Sequence, residues 1–332
     1  MKKYKIYGIG AALVDTEMRV EDADLRRIGV EKGLMTLVDQ ERRADLLQAL
    51  EGHLVEAHHA SGGSVGNSII AAASFGGPCF MSCRVANDSD GDLYVADMRS
   101  AGVNSASPVS AEEGTGKCLV LVTPDAERSM NTYLGASAGL STDQLDEDAI
   151  TASEFVYIEG YLVTSPSGLE AAVKTREIAQ ANGVPVAVSF SDPGMVEHFP
   201  DQFREIVGEG VDLVFANEAE ALQWTGTDSV AEAAEALGST AKQFAITLGA
   251  DGALCSDGAN LHSVAGHEIN AKDSNGAGDM FAGAFLYALT SGRSIETAGK
   301  FASLAAAQVV SQWGPRLKAD QYGVLRDQFF GA

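Results

Sequence analysis

Phe155-Val156-Tyr157-Ile158, Val184-Pro185-Val186-Ala187-Val188-Ser189, Leu213-Val214-Phe215 and Phe244-Ala245-Ile246-Thr247 are short apolar runs, rich in β-branched and aromatic residues. Helical patterns separate them, near 167–182, near 194–207 and from Glu218 onward. An apolar run without alternation suits a strand buried on both faces. Strands that alternate with helices make βαβ units and a parallel sheet. The stretch 155–247 therefore predicts an α/β fold.

Toward the C-terminus, the last of these strands ends in Gly249-Ala250-Asp251-Gly252, and helices are predicted over 277–291, 294–311 and 319–329. Toward the N-terminus, residues 4–9 read as a first strand and 41–50 as a helix carrying Leu46, Leu47 and Leu50 on one face. Met35-Thr36-Leu37-Val38 is strand-like within an otherwise mixed, charged 16–38, and 78–86 and 117–134 are strand-rich. Lys117–Thr123, a Pro124-Asp125 turn and Arg128–Tyr133 read as a hairpin. No internal repeat, linker or low-complexity tract interrupts residues 1–332, which read as one domain. A β-rich excursion is drawn from about 16–40 and 103–134.

The net charge is 23 − 46 = −23. It argues against nonspecific binding to nucleic acid or to an anionic membrane. An anionic substrate must then be held by a local site against the overall field, which a bound Mg²⁺ would ease. Hydrophobic residues make up 45%, ample for a large core. No segment approaches the ~20 apolar residues of a membrane span, and Met1–Gly8 has no apolar run long enough for a signal peptide. Cys79, Cys83, Cys118 and Cys255 form no Cys-x-x-Cys pair and read as reduced, buried thiols of a cytoplasmic protein.

The chemistry concentrates in Asp273-Ser274-Asn275-Gly276-Ala277-Gly278-Asp279-Met280-Phe281. A polar, glycine-bearing turn runs into an apolar helix with Phe281, Phe285 and Leu289 on one face. The first N–H groups of such a helix lack intrahelical partners, and the macrodipole adds partial positive charge. Together they form an anion site suited to phosphate. Asp279 would repel phosphate, but makes sense as the base for a hydroxyl that attacks it. An ordinary helix cap is the other reading. Ala60–Ala73 repeats the theme: a Gly62-Gly63 turn enters a small-residue helix with Asn67 in its first turn. Gly62-Gly63-Ser64-Val65-Gly66 also fits Gly-x-Ser-x-Gly, the nucleophile elbow of serine hydrolases, with His262 or His267 as candidate base. Against that, His58-His59-Ala60-Ser61 makes a poor buried strand. Asn217 and Glu220 open a helix after a strand; they read as oxygen ligands for Mg²⁺ or as a capping box. Asp15 follows the first strand, where open α/β sheets bind ligands. The His residues show no zinc spacing.

These motifs resemble those of the phosphofructokinase-B, ribokinase-like sugar and nucleoside kinases. Asp273–Asp279 is similar to the family's second signature, usually Asp-Thr-x-Gly-Ala-Gly-Asp, with Ser274 in place of Thr. Gly62–Asn67 is similar to the first signature, and Asn217–Glu220 to the Asn-x-x-Glu motif. Glu31–Asp39 and Glu127–Ala136 resemble the adenosine-kinase-like branch, although Ala11 stands where that branch has Asn. The resemblance implies a three-layer αβα core with a mostly parallel central sheet and a small β-sheet lid, the β-rich excursion. It implies an ATP-dependent transfer to the primary hydroxyl of a small-molecule acceptor. A nucleoside such as adenosine is favoured over a free sugar such as ribose, fructose or a keto-deoxy sugar acid, or over a non-catalytic sensor. Asp279 would be the base; Gly276, Ala277 and Gly278 would steady the phosphoryl group, and Arg128 would approach on closure. Asp15, Gly62, Gly63 and Asn67 would bind the acceptor. Asn217, Thr247, Gly249, Gly252, Asn275 and Gly278 would contact ATP, with Mg²⁺ held partly through water by Asn217 and Glu220. K⁺ would act at the loop before Asp273. A monomer or homodimer is expected.

Overall fold

The computed structural model describes residues 2–51, 59–105 and 112–331. Its strands are β1 Tyr4–Ile9, β2 Leu13–Arg19, β3 Met35–Leu37, β4 His59–Gly62, β5 Cys79–Ser82, β6 Val103–Ser105 and β7 Gly116–Val122. They continue with β8 Arg128–Tyr133, β9 Ser153–Ile158, β10 Val186–Ser189, β11 Val211–Asn217, β12 Ala241–Thr247, β13 Ala253–Ser256 and β14 Leu261–Val264. The large sheet has the order β14-β13-β12-β11-β10-β9-β1-β5-β6. It is parallel from β6 to β12, and β13 and β14 close one edge antiparallel.

The apolar runs form the centre of this sheet because helices cover both faces. On β11, Leu213 and Phe215 face the layer built by the helices Ser64–Ser74, Ala277–Thr290 and Ile295–Val310. Val214 and Ala216 face the opposite layer, with Ala171, Phe203 and Ala233. Each successive side chain is thus buried on alternate sides.

The small sheet has the order β3-β8-β7-β2-β4. Its strands alternate cleanly. Leu119 and Leu121 pack outward under the helices Asp22–Ile28 and Gln40–Ala49, whereas Cys118, Val120 and Val122 join Leu13 on the inner face. The structure departs from the expected excursion in its membership. Val103–Ser105 pairs with β5 in the large sheet, and β4 enters the small one. Residues 106–111 and His58 lie outside the described residues. His59–Gly62 is a strand after all, because it needs only one partner: it pairs antiparallel with β2, with Ala60 opposite Asp15. The helix expected over 194–207 is two, Pro193–His198 and Pro200–Val207. Pro200 has no N–H to continue the first helix and starts the second at its first turn. Among the described residues no helix is long and apolar enough to cross a membrane.

Candidate active site

A cleft of about 750 Å³ opens at the carboxyl ends of β1 and β9 to β12, under the inner face of the small sheet. This is the switch point of the large sheet, where the chain leaves β1 for neighbours on opposite sides, β5 and β9. The roof carries apolar Leu13, Met35, Cys118, Val120, Met130 and Leu134, with the polar Asp15, Arg128 and Thr132 set among them. The floor is polar, and most of the expected site residues meet there.

Gly276 caps the helix Ala277–Thr290 in a left-handed conformation, φ 73°. A Cβ at this position would collide with the backbone of Pro315, so only glycine lets the turn close. The helix then aims its first-turn N–H groups into the cleft. The Ala277 N–H is turned back on the Ser274 carbonyl (3.2 Å), which leaves Gly276, Gly278 and Asp279 as the more open donors. Ser274 ties this loop to the small sheet, donating from both N–H (3.2 Å) and Oγ (2.8 Å) to the Ala126 carbonyl. Asp273 is fully buried and braces the loop, accepting from Asn275 N–H (2.8 Å) and Gly314 N–H (2.9 Å).

Asp279 projects from this first turn across the cleft to the second glycine-entered helix. Its Oδ1 accepts from Ser64 Oγ (2.7 Å) and its Oδ2 from Asn67 Nδ2 (3.0 Å). Burial holds its carboxyl above the ordinary range, opposed by these two bonds and by the positive charge of Arg128. Asn67, expected to serve only the acceptor, therefore also aims Asp279. Its Oδ1 is buried and has no partner among the described residues, and the residue lines the cleft.

Asp15 lies inside β2 rather than just past the first strand, opposite Ala60 and Cys118. Its carboxylate covers the Cα of Gly62, where a Cβ would collide with both oxygens. Gly63 (φ 86°) has the same kind of contact with the Ala11 carbonyl. Burial pushes Asp15 up to about 7, against a pull downward from Arg316 and a further push from Asp279.

Asn217 and Glu220 form a reciprocal cap. Glu220 N–H donates to Asn217 Oδ1 (2.9 Å), Asn217 N–H to Glu220 Oε2 (2.8 Å), and Asn217 Nδ2 to Glu220 Oε1 (2.7 Å). Both line the cleft. Among the described residues no set of three or more His, Cys, Asp or Glu side chains could hold a metal ion. This donor set, one amide and one buried carboxylate, fits an ion that keeps most of its waters, as Mg²⁺ does. Thr247, Gly249 and Asn275 also line the cleft, as does Arg128 at the start of β8. Gly252 does not; it packs against the Val264 and Gly266 backbone at the β12–β13 turn.

Ser64 has a carboxylate for its partner, not an imidazole. His262 is bound instead to Asp257 Oδ2 (2.9 Å), beside the antiparallel edge of the large sheet. His267 is exposed in the loop after β14, so among the described residues neither candidate histidine is bonded to Ser64 and the hydrolase reading lacks its base. Ser64→Ala should leave the chain folded, unlabelled by a fluorophosphonate probe like the wild type, and lower turnover about tenfold or less by freeing one Asp279 oxygen. Probe labelling of the wild type that Ser64→Ala removes would restore the hydrolase reading.

Glu159 escaped the sequence reading. It is fully buried just past β9 and accepts from Ala11 N–H (2.6 Å) and Val65 N–H (3.1 Å). It thereby joins the turn before β2 to the helix that carries Ser64 and Asn67. The signal was available: a carboxylate at Ile158-Glu159-Gly160 stands past the end of a parallel strand. Burial pushes it up to about 7. Asp15 and Glu159 both titrate higher in the folded chain than in the unfolded one. Between about pH 4 and about pH 7 the folded chain therefore binds more protons, so stability falls as pH rises through that window. Lowering the pH from about 8 to about 6 should raise the thermal midpoint, while kcat/KM falls as Asp15 is protonated. A midpoint that drops on this acidification contradicts the assignment.

A glycine-capped helix start with a carboxylate in its first turn and a second buried carboxylate, Asp15, in the same cleft is a layout that suits phosphoryl transfer to a hydroxyl. Residues 34–321 match the pfkB family carbohydrate kinase family. The adenosine kinase of Schizophyllum commune is 28% identical, the match covering 98% of this chain and all of that protein. The crystal structure of adenosine kinase from Sinorhizobium meliloti is 37% identical with a TM-score of 0.92, covering 98% of this chain and 99% of that one. A structure described as a probable sugar kinase protein from Rhizobium etli CFN 42 is 36% identical with a TM-score of 0.93, covering 99% of each chain. The chain belongs to the pfkB family of carbohydrate kinases and has its ribokinase-like fold. It is an ATP-dependent kinase of a sugar or nucleoside hydroxyl.

Proposed function

We propose that the acceptor is a nucleoside, adenosine or a close relative, phosphorylated on its primary hydroxyl. The observation that carries this reading is the apolar part of the roof above the polar floor. A free sugar has hydroxyls on every side and gains little from Leu13, Met35, Val120 and Met130. A nucleoside matches both kinds of surface, its ribose diol between Asp15 and the polar floor and its flat base against the apolar part of the roof. The adenosine kinase names of similar proteins support the same choice. Ala11 lacks the side-chain amide of that branch, but its N–H is held by Glu159, so the turn keeps its shape.

In this reading Asp15 and the free Oδ1 of Asn67 bind the diol, with the Gly62-Gly63 backbone against it. Asp279 takes the proton of the primary hydroxyl, whose oxygen attacks the γ-phosphorus as the bond to the β–γ bridging oxygen breaks and ADP leaves. The N–H groups of Gly276 and Gly278, rather than that of Ala277, which is held by Ser274, steady the transferred charge. Asn217, Thr247, Gly249 and Asn275 contact ATP. Asn217 and Glu220 would hold Mg²⁺ through water, and the ion would neutralise phosphate charge. The small sheet acts as a lid, bringing Arg128 toward the phosphates and excluding water. K⁺ would act at the loop before Asp273, and activity in potassium against sodium buffers tests that.

The test of the acceptor is ADP release with Mg-ATP across a panel of nucleosides and free sugars. Adenosine or another purine nucleoside should give the highest kcat/KM. A free sugar that outperforms every nucleoside overturns the proposal.

A further inference from the structure

One row of cross-strand neighbours runs over the inner face of the small sheet. Asp15 of β2 stands opposite Cys118 of β7, Cys118 opposite Thr132 of β8, and Thr132 opposite Leu37 of β3. All four line the cleft. Thr132 lies in the middle of the apolar wall. Met130 and Leu134 flank it along β8, two residues away on the same face. Cys118 and Leu37 flank it across the sheet. Thr132 is only 4% exposed, so its hydroxyl depends on protein partners. Among the described residues that hydroxyl has one partner: it donates to Cys118 Sγ at 3.4 Å. A thiol sulfur is a weak acceptor. A valine would fill the same place in the strand with no polar atom to satisfy.

We propose that Thr132 is a specificity-determining residue of the acceptor subsite, its hydroxyl reading a ring nitrogen on the edge of a purine base laid against the roof. The inference rests on reading the acceptor as a nucleoside with its diol at Asp15. Thr132 lies two strands from Asp15, about 10 Å from Cα to Cα. A nucleoside is long enough to touch both at once, the diol at one end and the base at the other. Its flat ring covers Val120, Met130 and Leu134 and expels water from the wall. A hydroxyl covered in this way weakens binding unless the ligand offers it a good partner. A ring nitrogen is a stronger acceptor than sulfur, so the hydroxyl rotates and its proton turns from Cys118 to the base. An analogue with C–H in place of that nitrogen forfeits the bond and leaves the hydroxyl on sulfur.

The experiment measures kcat and KM of the whole chain with Mg-ATP and four probes: adenosine and its 1-deaza, 3-deaza and 7-deaza analogues. In the wild type one of the three analogues should have a KM about tenfold above that of adenosine. Thr132→Val should raise the KM for adenosine by the same factor and erase the difference between adenosine and that analogue. Thr132→Ser keeps the hydroxyl and should stay within about threefold of wild type on every probe. Throughout, kcat and the KM for ATP should change by less than about threefold, because the bond is the same in the ground and transition states. If Thr132→Val does not fold, Thr132→Ala takes its place with the same expected pattern. An unchanged KM for adenosine in the folded variant overturns the inference. So does an equal loss on all four probes, which a merely disturbed wall would give. Either result with a wild type active on adenosine defeats the role of Thr132 alone. A wild type that phosphorylates free sugars and no nucleoside defeats the proposed acceptor, and the role of Thr132 with it.

Discussion

Asp279→Asn should lower kcat by about 10²–10⁴, the span of general-base catalysis, and leave ATP binding almost unchanged. The carboxylate receives the proton of the attacking hydroxyl and makes no favourable contact with phosphate, so its loss falls on the transition state. The variant should also fold. Ser64 Oγ and Asn67 Nδ2 both donate to Asp279, and a rotated hydroxyl and a flipped amide can pair with the new side chain as well. Burial disfavours the Asp279 charge, so a neutral isostere relieves a penalty and the thermal midpoint should hold or rise. Lost turnover in a stable, ATP-binding protein is the signature of a base. Turnover within about tenfold of wild type would remove Asp279 from that role.

Paired substitutions at Gly276 and Gly278 should separate the construction of the anion site from its occupancy. Gly276→Ala puts a Cβ on a left-handed residue and against the Pro315 backbone. The conformation alone costs about 1–2 kcal/mol, and the turn must shift to relieve the collision. The first-turn N–H groups then lose their aim, and kcat should fall by about 10²–10³, as when one oxyanion donor is removed, together with a lower thermal midpoint. At Gly278 a Cβ meets no protein atom within 4 Å. Gly278→Ala should therefore fold as stably as wild type, yet its methyl group points into space that a phosphate would use. The KM for ATP should rise while the midpoint stays. Equal activity of Gly278→Ala and wild type would mean that no ligand approaches this backbone.

The parallel core was legible because strands buried on both faces are written as contiguous apolar runs, as in Leu213-Val214-Phe215. The anion loop was legible because its turn demands glycine at a fixed place before an apolar helix. The β2 strand was not, since Leu13–Arg19 mixes Asp15, Thr16, Glu17 and Arg19 into a strand that borders a polar cleft. Polar residues there serve the site rather than the pattern. The antiparallel edge β13–β14 was also missed; its strands are four residues each, too short to show a period. Glu159 and Arg316 were hidden for another reason. Glu159 meets Ala11 across 148 positions and Arg316 meets Asp97 from the far end of the chain. Such contacts exist only once topology has folded β9 beside β1 and the C-terminal helices over the same layer. Asn217 and Glu220 show the reverse case: their local spacing already contained the cap that the structure forms.

The most direct measurement is ³¹P NMR of the wild-type chain with ATP, Mg²⁺ and adenosine, with 5′-deoxyadenosine in a parallel sample. A carboxylate base aimed at a primary hydroxyl predicts a new 5′-phosphomonoester and ADP in equal amounts from adenosine, and neither from the deoxy analogue. ATP loss that proceeds equally in both samples, with inorganic phosphate as the product, would contradict it.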